Sequence, residues 1–443
     1  MMGDREYVLA YAKENNVKFI RLWFTDILGF LKSFAITVEE LEQALYEGMG
    51  FDGSSLSGYA GIEETDMVAM PDPSTLKILP WRPKEGGTVA RMFCDVQDHV
   101  GINFKGDPRW ILKSNLAKAK DKGYTYYVGP ELEFFYFKSP EGTPQTLDRG
   151  GYLDLTPLDV ASDLRRDTVF YLEEMGIGVE YSHHEISASQ HEIGLRYTDA
   201  LTMADNAMTY KLVVKEVAQK YGVYATFMPK PLTDYNGSGM HVHQSLFKGD
   251  KNIFFNLRGS YYLSDEAKFF VGGLLKYAPD FTLITNQWVN SYKRLVPDFG
   301  APIFITWAQR NRSNLVRIPI SKPNKPSSAR IEFRSPDPAC NPYLVFSVML
   351  AAGLKGMEEK IEPGDPFEGN ILDMNEMEKQ RITIRRLPET LLGAIKLAEE
   401  SEFLSGVLGE YALGQILENK KREWARYRKY VSGYEIDNYL PVL

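Results

Sequence analysis

The sequence predicts an α+β protein built from a small N-terminal part and a much larger C-terminal one. Three observations carry this. The first hundred or so residues mix short strands with one strong helix pattern. Beyond Asp107, strands with polar faces alternate with long helices, and from about Pro388 the chain is helical and charged. At 443 residues, 44% hydrophobic and 25% charged, the chain has the composition of a globular protein but more length than one core usually supports.

In order, residues 4–15 read as a short helix, Lys18 to Trp23 as a strand, and Ser33 to Ile36 as a second strand after the Asp26-Ile27-Leu28-Gly29 turn. Val38 to Gly48 has a helix pattern, Phe51 to Ser55 reads as a polar flexible loop, Pro71 to Pro83 as irregular, and Val89 to Asp95 as a strand. Asp107-Pro108 opens a helix, with Asp107 as cap and Pro108 at the first position. Further helices are expected over roughly 158–176, 199–221, 264–279 and 340–357.

Composition excludes several function classes. A net charge of −8 argues against a nucleic-acid footprint. Cys94 and Cys340 are the only cysteines, so no disulfide framework exists and a reducing, cytoplasmic setting is expected. The N-terminus Met1-Met2-Gly3-Asp4-Arg5-Glu6 lacks the apolar core of a signal peptide. The most apolar run, Tyr343 to Gly353, is interrupted by Ser347 and falls short of a membrane span.

The chemistry begins at Glu131-Leu132-Glu133, inside a run from Tyr126 to Phe137 that otherwise reads as a buried strand. Side chains alternate along a strand, so Glu131 and Glu133 share a face with Phe135 and Phe137. Two carboxylates so placed repel each other, and a cation is expected between them. The pattern recurs. Val179 to Ile186 puts Tyr181, His183 and Glu185 on one face, with Glu192 seven residues beyond Glu185. Gly239 to Ser245 puts His241, His243 and Ser245 on one face, and Arg330 to Arg334 does the same for Arg330, Glu332 and Arg334. Each element alone is more often an ordinary solvent-facing strand or a structural histidine. Their recurrence, dominated by oxygen ligands with one or two imidazoles, suits Mg²⁺ or Mn²⁺ rather than structural zinc. No Walker loop, His-Glu-x-x-His or cysteine cluster is present. Lys293, Arg294, Arg310, Arg312, Arg317, Arg330 and Arg334 crowd one stretch, and metal plus arginine is the equipment of phosphoryl transfer.

Six segments together resemble the type I glutamine synthetases: Phe51-Asp52-Gly53-Ser54-Ser55, Glu131-Leu132-Glu133, His183-His184-Glu185, Asn236-Gly237-Ser238-Gly239-Met240-His241, Asn311-Arg312-Ser313 and Arg334-Ser335-Pro336-Asp337-Pro338. The resemblance spans essentially the whole chain. It implies a β-grasp-like domain over 1–103 and a catalytic domain over 104–443, with an antiparallel sheet carrying the metal ligands. It implies that Glu133, Glu185 and Glu192 hold one divalent ion, and that Glu131, His241 and Glu332 hold a second that bridges to ATP. Glu180, Tyr197, His243, Ser245 and Arg330 match nucleotide positions. Asn236, Gly237, Arg294 and Arg334 match glutamate positions. Arg312 and Arg317 match arginines on the transferring phosphoryl group, Arg317 also counting with the nucleotide set. Asp52 matches the general base, supplied by a neighbouring subunit, and Ser55, Tyr152 and Glu185 complete the amine site. The family implies two stacked six-membered rings, and ATP, glutamate and ammonia as substrates.

The chain departs from the family at the flap, where Val296-Pro297-Asp298-Phe299-Gly300-Ala301-Pro302 has Gly300 in place of a glutamate. Three readings follow: a glutamine synthetase with a flap compensated by Asp298; a γ-glutamyl ligase for a larger primary amine; and a non-catalytic homologue. Retention of Asp52, Ser55, Tyr152 and Glu185 favours ammonia, and the intact metal and ATP positions disfavour the third reading. Gly61 stands where shorter type I enzymes carry a feedback arginine, and Asn370-Ile371-Leu372 stands where longer ones carry an adenylylated tyrosine. Neither control is expected here.

Overall fold

The computed structural model describes residues 2–54, 56, 66–82, 85–297, 301–369, 374 and 384–443. Two sheets organise them. The N-terminal sheet contains β1 (Val17–Thr25), β2 (Leu31–Thr37), β3 (Met49–Asp52), β4 (Asp66–Pro71), β5 (Lys77–Ile78) and β6 (Thr88–Asp98), in the order β2-β1-β6-β4-β3 with β5 against β6. The second sheet contains β7 (Thr125–Phe137), β8 (Val179–His184), β9 (Gln190–Leu195), β10 (Thr198–Asp199), β11 (Tyr224–Thr226), β12 (Met240–Lys248), β13 (Lys251–Asn252), β14 (Phe304–Ala308), β15 (Asn314–Arg317) and β16 (Ile331–Phe333). Its path is β14-β15-β16-β12-β7-β9-β8, with β10 and β11 on β7 and β13 on β12.

The α+β class and the β-grasp-plus-catalytic-sheet architecture agree with expectation, with three corrections. Phe51 and Asp52 belong to strand β3, not to a loop, because β3 pairs with β4 across a long sequence gap that local composition does not reveal. The large sheet is not wholly antiparallel, since β14 runs parallel to β15. The helix expected to stop near Pro279 runs from Asp265 to Thr285. Proline removes the N–H that would bond the carbonyl four residues back. Here Arg385 Nη2 donates to that carbonyl, Leu275 O, at 3.1 Å, which lets the helix continue.

The expected helix start at Pro108 is present, and the Asp107 carboxylate accepts from Arg109 N at 3.0 Å. Helices Asp265–Thr285 and Pro342–Glu359 cross closely behind the sheet. A Cβ at Gly273 would lie 2.1 Å from Ala352 O, so only glycine permits the approach. Trp23, Ile27, Leu28, Leu79 and Phe93 of the N-terminal part join the large core. Arg109, 2% exposed, binds Asp72 just after β4, Asp95 of β6 and Asp205 of the helix Ala200–Lys220, at 2.6 to 3.0 Å. Hydrophobic burial and a desolvated ion cluster thus tie the two parts together. Among the described residues no helix is long and apolar enough to cross a membrane.

Candidate active site

Strand register builds the site. On β7, β9 and β8 one row reads Glu133, Glu192, His183, because Glu133 opposes Glu192 and Glu192 opposes His183. The next row reads His241, Glu131, Gly194, Tyr181, from β12 through β7 and β9 to β8. Directly opposite side chains on one sheet face lie within about 5 Å at Cβ, so these rows place charged groups in contact. Gly194 has a purpose in its row. A Cβ there would lie 2.6 Å from the Tyr181 ring, and its absence lets the Tyr181 hydroxyl donate to Glu131 Oε1 at 2.8 Å.

Two groups of metal-type donors result. In one, ligand atoms of Glu131, His241 and Glu332 lie within 4.8 Å of one another; in the other, those of His183, Glu185 and Glu192 do. The first is the trio expected for the ATP-side ion. The second differs from expectation. His183 joins Glu185, with its Nε2 2.8 Å from Glu185 Oε1, while Glu133 stands just outside the tight group. Glu133 Oε2 is already occupied, accepting from Gln190 Nε2 and from Gly239 N, both at 2.9 Å.

The electrostatics of the two groups are opposite. Burial, then Glu185, pushes the Glu133 carboxyl up to about 8. Burial, then Glu131, Glu133 and Glu185, pushes Glu192 well above the usual carboxylate range. Crowded buried anions behave this way when their burial and mutual repulsion outweigh nearby cations, here Arg294 and Arg334 at Glu133. Burial would also raise Glu332, but Arg334, His243, His241 and Arg317 outweigh it and bring it to about 2. Glu131 resists burial likewise through His243 and His241 and stays well below its ordinary value. Burial, then Arg334, lowers His241, which keeps its imidazole available as a neutral ligand. Carboxylates with one imidazole in each group, with repulsion among the anions dominant on the Glu133 side, fit divalent ions that prefer oxygen.

A third group, Asp148, His184 and His191, is fully buried. It does not suit an ion. Arg165 Nη1 lies 2.9 Å from His191 Nδ1, and a guanidinium can only donate, so that nitrogen must accept. Asp148 Oδ1 instead accepts from Ser189 N at 2.7 Å and meets His184 Nε2 at 3.2 Å, pinning the turn between β8 and β9.

Beside the Glu131 group lies a cavity of about 290 Å³ whose lining includes Glu180, Tyr197, His243, Ser245 and Arg330, the five positions expected to line a nucleotide. Its lining includes Gly129, and at Gly129-Pro130 β7 has no partner on the edge it shares with β10 and β9, while its pairing with β12 continues opposite His243 and Val242. Arg330 Nε donates to His243 Nδ1 at 3.3 Å, and His243 Nε2 is 2.9 Å from Glu131 Oε1, linking cavity and donors. Lys325, Ser327 and Ser328 also line it and carried no sequence signal.

The expected glutamate positions converge from another side. Arg294, 3% exposed, donates to Ser335 O at 2.6 Å, and Arg334 Nε donates to Arg312 O at 3.0 Å. Arg334 and Arg317 both bond Glu332. Arg312 itself is exposed. Asn236 N donates to Ser187 Oγ at 2.9 Å. Gly237 allows close approach, since a Cβ there would lie 2.4 Å from Pro229 O and 2.9 Å from Arg294 Cγ. Tyr152 packs edge-on against His183, ring centroids 5.4 Å apart. Asp52 sits on the other sheet, at the exposed end of β3, accepting from Ser54 N at 2.8 Å. Ser55, Gly61, Asp298, Gly300 and the segment 370–372 lie outside the described residues.

Comparison with known proteins gives a consistent picture. The family described as "Glutamine synthetase, catalytic domain" matches residues 105–439, and "Glutamine synthetase, beta-Grasp domain" matches residues 16–99. The chain is 50% identical to a glutamine synthetase of Methanosarcina mazei, covering 99% of this chain and 98% of that one. It is 49% identical to one of Mycolicibacterium smegmatis, covering 99% and 100%. Among solved structures, one titled "GmaS/ADP complex" superposes with a TM-score of 0.90 at 33% identity, covering 98% of this chain and 99% of that one. A Plasmodium falciparum glutamine synthetase superposes at 0.87 and 28% identity, covering 98% of each.

Proposed function

The chain belongs to the glutamine synthetase family, and we propose that it joins glutamate and ammonia with ATP through two adjacent ion sites on one sheet face. The activity is that of a carbon–nitrogen ligase: glutamate, ATP and ammonia yield glutamine, ADP and phosphate. The single observation that carries the mechanism is the register that lays Glu133, Glu192 and His183 in one row beside His241 and Glu131 in the next.

Glu133, Glu185 and Glu192, with His183, would hold the ion on the glutamate side, and Glu131, His241 and Glu332 the ion on the ATP side. Mg²⁺ or Mn²⁺ bound there supplies positive charge to the phosphates and to the attacking carboxylate. Arg294, Arg334, Asn236 and Gly237 orient glutamate so that a γ-carboxylate oxygen faces the ATP γ-phosphorus. The oxygen attacks, the bond to ADP breaks, and a γ-glutamyl phosphate forms. Arg312, Arg317 and Arg334 offset negative charge on the transferring group. Asp52 of a neighbouring subunit takes a proton from ammonium, the amine nitrogen attacks the acyl carbon, and phosphate leaves. Tyr152, Ser55 and Glu185 would complete the ammonium pocket. Glu180, Tyr197, His243, Ser245, Arg317 and Arg330 hold the nucleotide. This reading places the domain division at 1–103 and 104–443, the protein in the cytoplasm, and the oligomer as two stacked hexameric rings with sites between subunits.

One observation favours a second reading. Gly300 supplies neither the carboxylate nor the bulk that the family flap carries, which leaves room for a substituent on the amine. Phosphate release with ATP and glutamate, scanned over ammonia, methylamine, ethanolamine and polyamines, decides between them. Fast turnover on millimolar ammonia rules out the larger-amine reading, a strong preference for a substituted amine overturns the ammonia reading, and no release with any amine leaves only a non-catalytic role.

A further inference from the structure

Gln190 makes two contacts that no sequence signal assigned. It opens β9, is 2% exposed, and shares a strand face with Glu192. Its Nε2 donates to Glu133 Oε2 at 2.9 Å and to Gly237 O at 3.1 Å. A carboxamide nitrogen carries two hydrogens. One therefore goes to a carboxylate of the glutamate-side ion site and the other to the loop expected to bind glutamate.

The surroundings make this link stiff. Glu133 and Gly239 exchange two further bonds, Gly239 N to Glu133 Oε2 at 2.9 Å and Glu133 N to Gly239 O at 3.1 Å. The turn holding Gln190 is closed by Glu185 N to Gln190 O at 2.8 Å and Gln190 N to Ser187 O at 3.0 Å. Ser187 Oγ accepts from Asn236 N, so the same turn grips the loop at a second point. Asp148 fixes Ser189, at φ 60°, within the turn. With Oε2 held by two N–H groups, Oε1 is the oxygen left for an ion.

We infer that the Gln190 carboxamide couples ion binding at the Glu133 site to glutamate binding at the Asn236–Gly239 loop, acting as a positioning residue. The inference rests on the proposed function. Fixing Glu133 on an ion holds the amide that holds Gly237 O, and Gly237, wedged against Pro229 O and Arg294, holds the rest of the glutamate pocket. The coupling is reciprocal: glutamate tightens the ion by the same factor as the ion tightens glutamate.

The test uses the full-length protein and the variants Gln190→Leu, which removes both donors, and Gln190→Glu, which preserves shape but sets an acceptor against two acceptors. Mn²⁺ affinity is measured by electron paramagnetic resonance with and without saturating glutamate, and glutamate affinity with and without Mn²⁺. ADP affinity serves as a check on the folded nucleotide cavity. The wild type should show coupling of about fivefold or more in both directions, and both variants should bring it to within about twofold of unity while ADP affinity holds. Either folded variant retaining wild-type coupling overturns the role of Gln190 alone, as does a variant that loses Mn²⁺, glutamate and ADP affinity in equal measure. Wild-type protein that binds no glutamate at any Mn²⁺ concentration overturns the proposed function as well.

Discussion

Acidification should weaken ion binding at one of the two sites and spare the other. At the glutamate side, Glu133 has a carboxyl at about 8 before an ion binds, raised by burial and by Glu185. An ion must displace that proton, so affinity follows the ionised fraction. About half is ionised near pH 8 and roughly one part in a hundred near pH 6, a roughly fiftyfold loss of affinity, or ~2.3 kcal/mol. Glu192, raised in the same direction, steepens the fall. At the ATP side, Glu332 at about 2 and Glu131 well below its ordinary value stay ionised throughout, and His241 is lowered toward its neutral form. Affinity there should change by less than about threefold over the same range. Calorimetric Mn²⁺ titrations in two buffers of different ionisation enthalpy separate the cases. Near pH 7 the pH-dependent site should release about one proton per ion from Glu133 and more as Glu192 also ionises, and the other site almost none. Two sites with equal pH dependence, or no proton release at either, would refute the assignment of opposite electrostatics to the two rows.

Three further outcomes are expected. Gly237→Ala sets a Cβ 2.4 Å from Pro229 O, so the KM for glutamate should rise about tenfold or more while ADP affinity, measured by calorimetry, stays unchanged. Arg330→Ala removes a cation from the cavity wall and the bond to His243, and ATP affinity should fall about tenfold, equivalent to ~1.4 kcal/mol, with glutamate binding preserved. Gly300→Glu restores the family's flap carboxylate; steady-state kinetics should show a gain with ammonia and a loss with substituted amines, and the opposite pattern would remove the flap from the account of amine choice.

Much of this site was legible because strand alternation is a local property. Glu131 with Glu133, His241 with His243, and Glu332 with Arg334 could be assigned to shared faces from spacing alone, and those faces do meet in the sheet. What alternation cannot supply is register between distant strands. Gln190 reaches Glu133 and Gly237 across gaps of 57 and 47 residues. Strand β3 was hidden for the same reason, its pairing with β4 being tertiary. The helix continuing past Pro279 was hidden because its relief comes from Arg385, more than a hundred residues away.

The central claim is that the glutamate γ-carboxylate is activated as an acyl phosphate, and oxygen transfer tests it most directly. With glutamate labelled by ¹⁸O in the γ-carboxylate, turnover in the presence of ATP and the preferred amine should place one labelled oxygen in each phosphate released. Phosphate that carries no label, from a protein that still forms the amide, would contradict the claim.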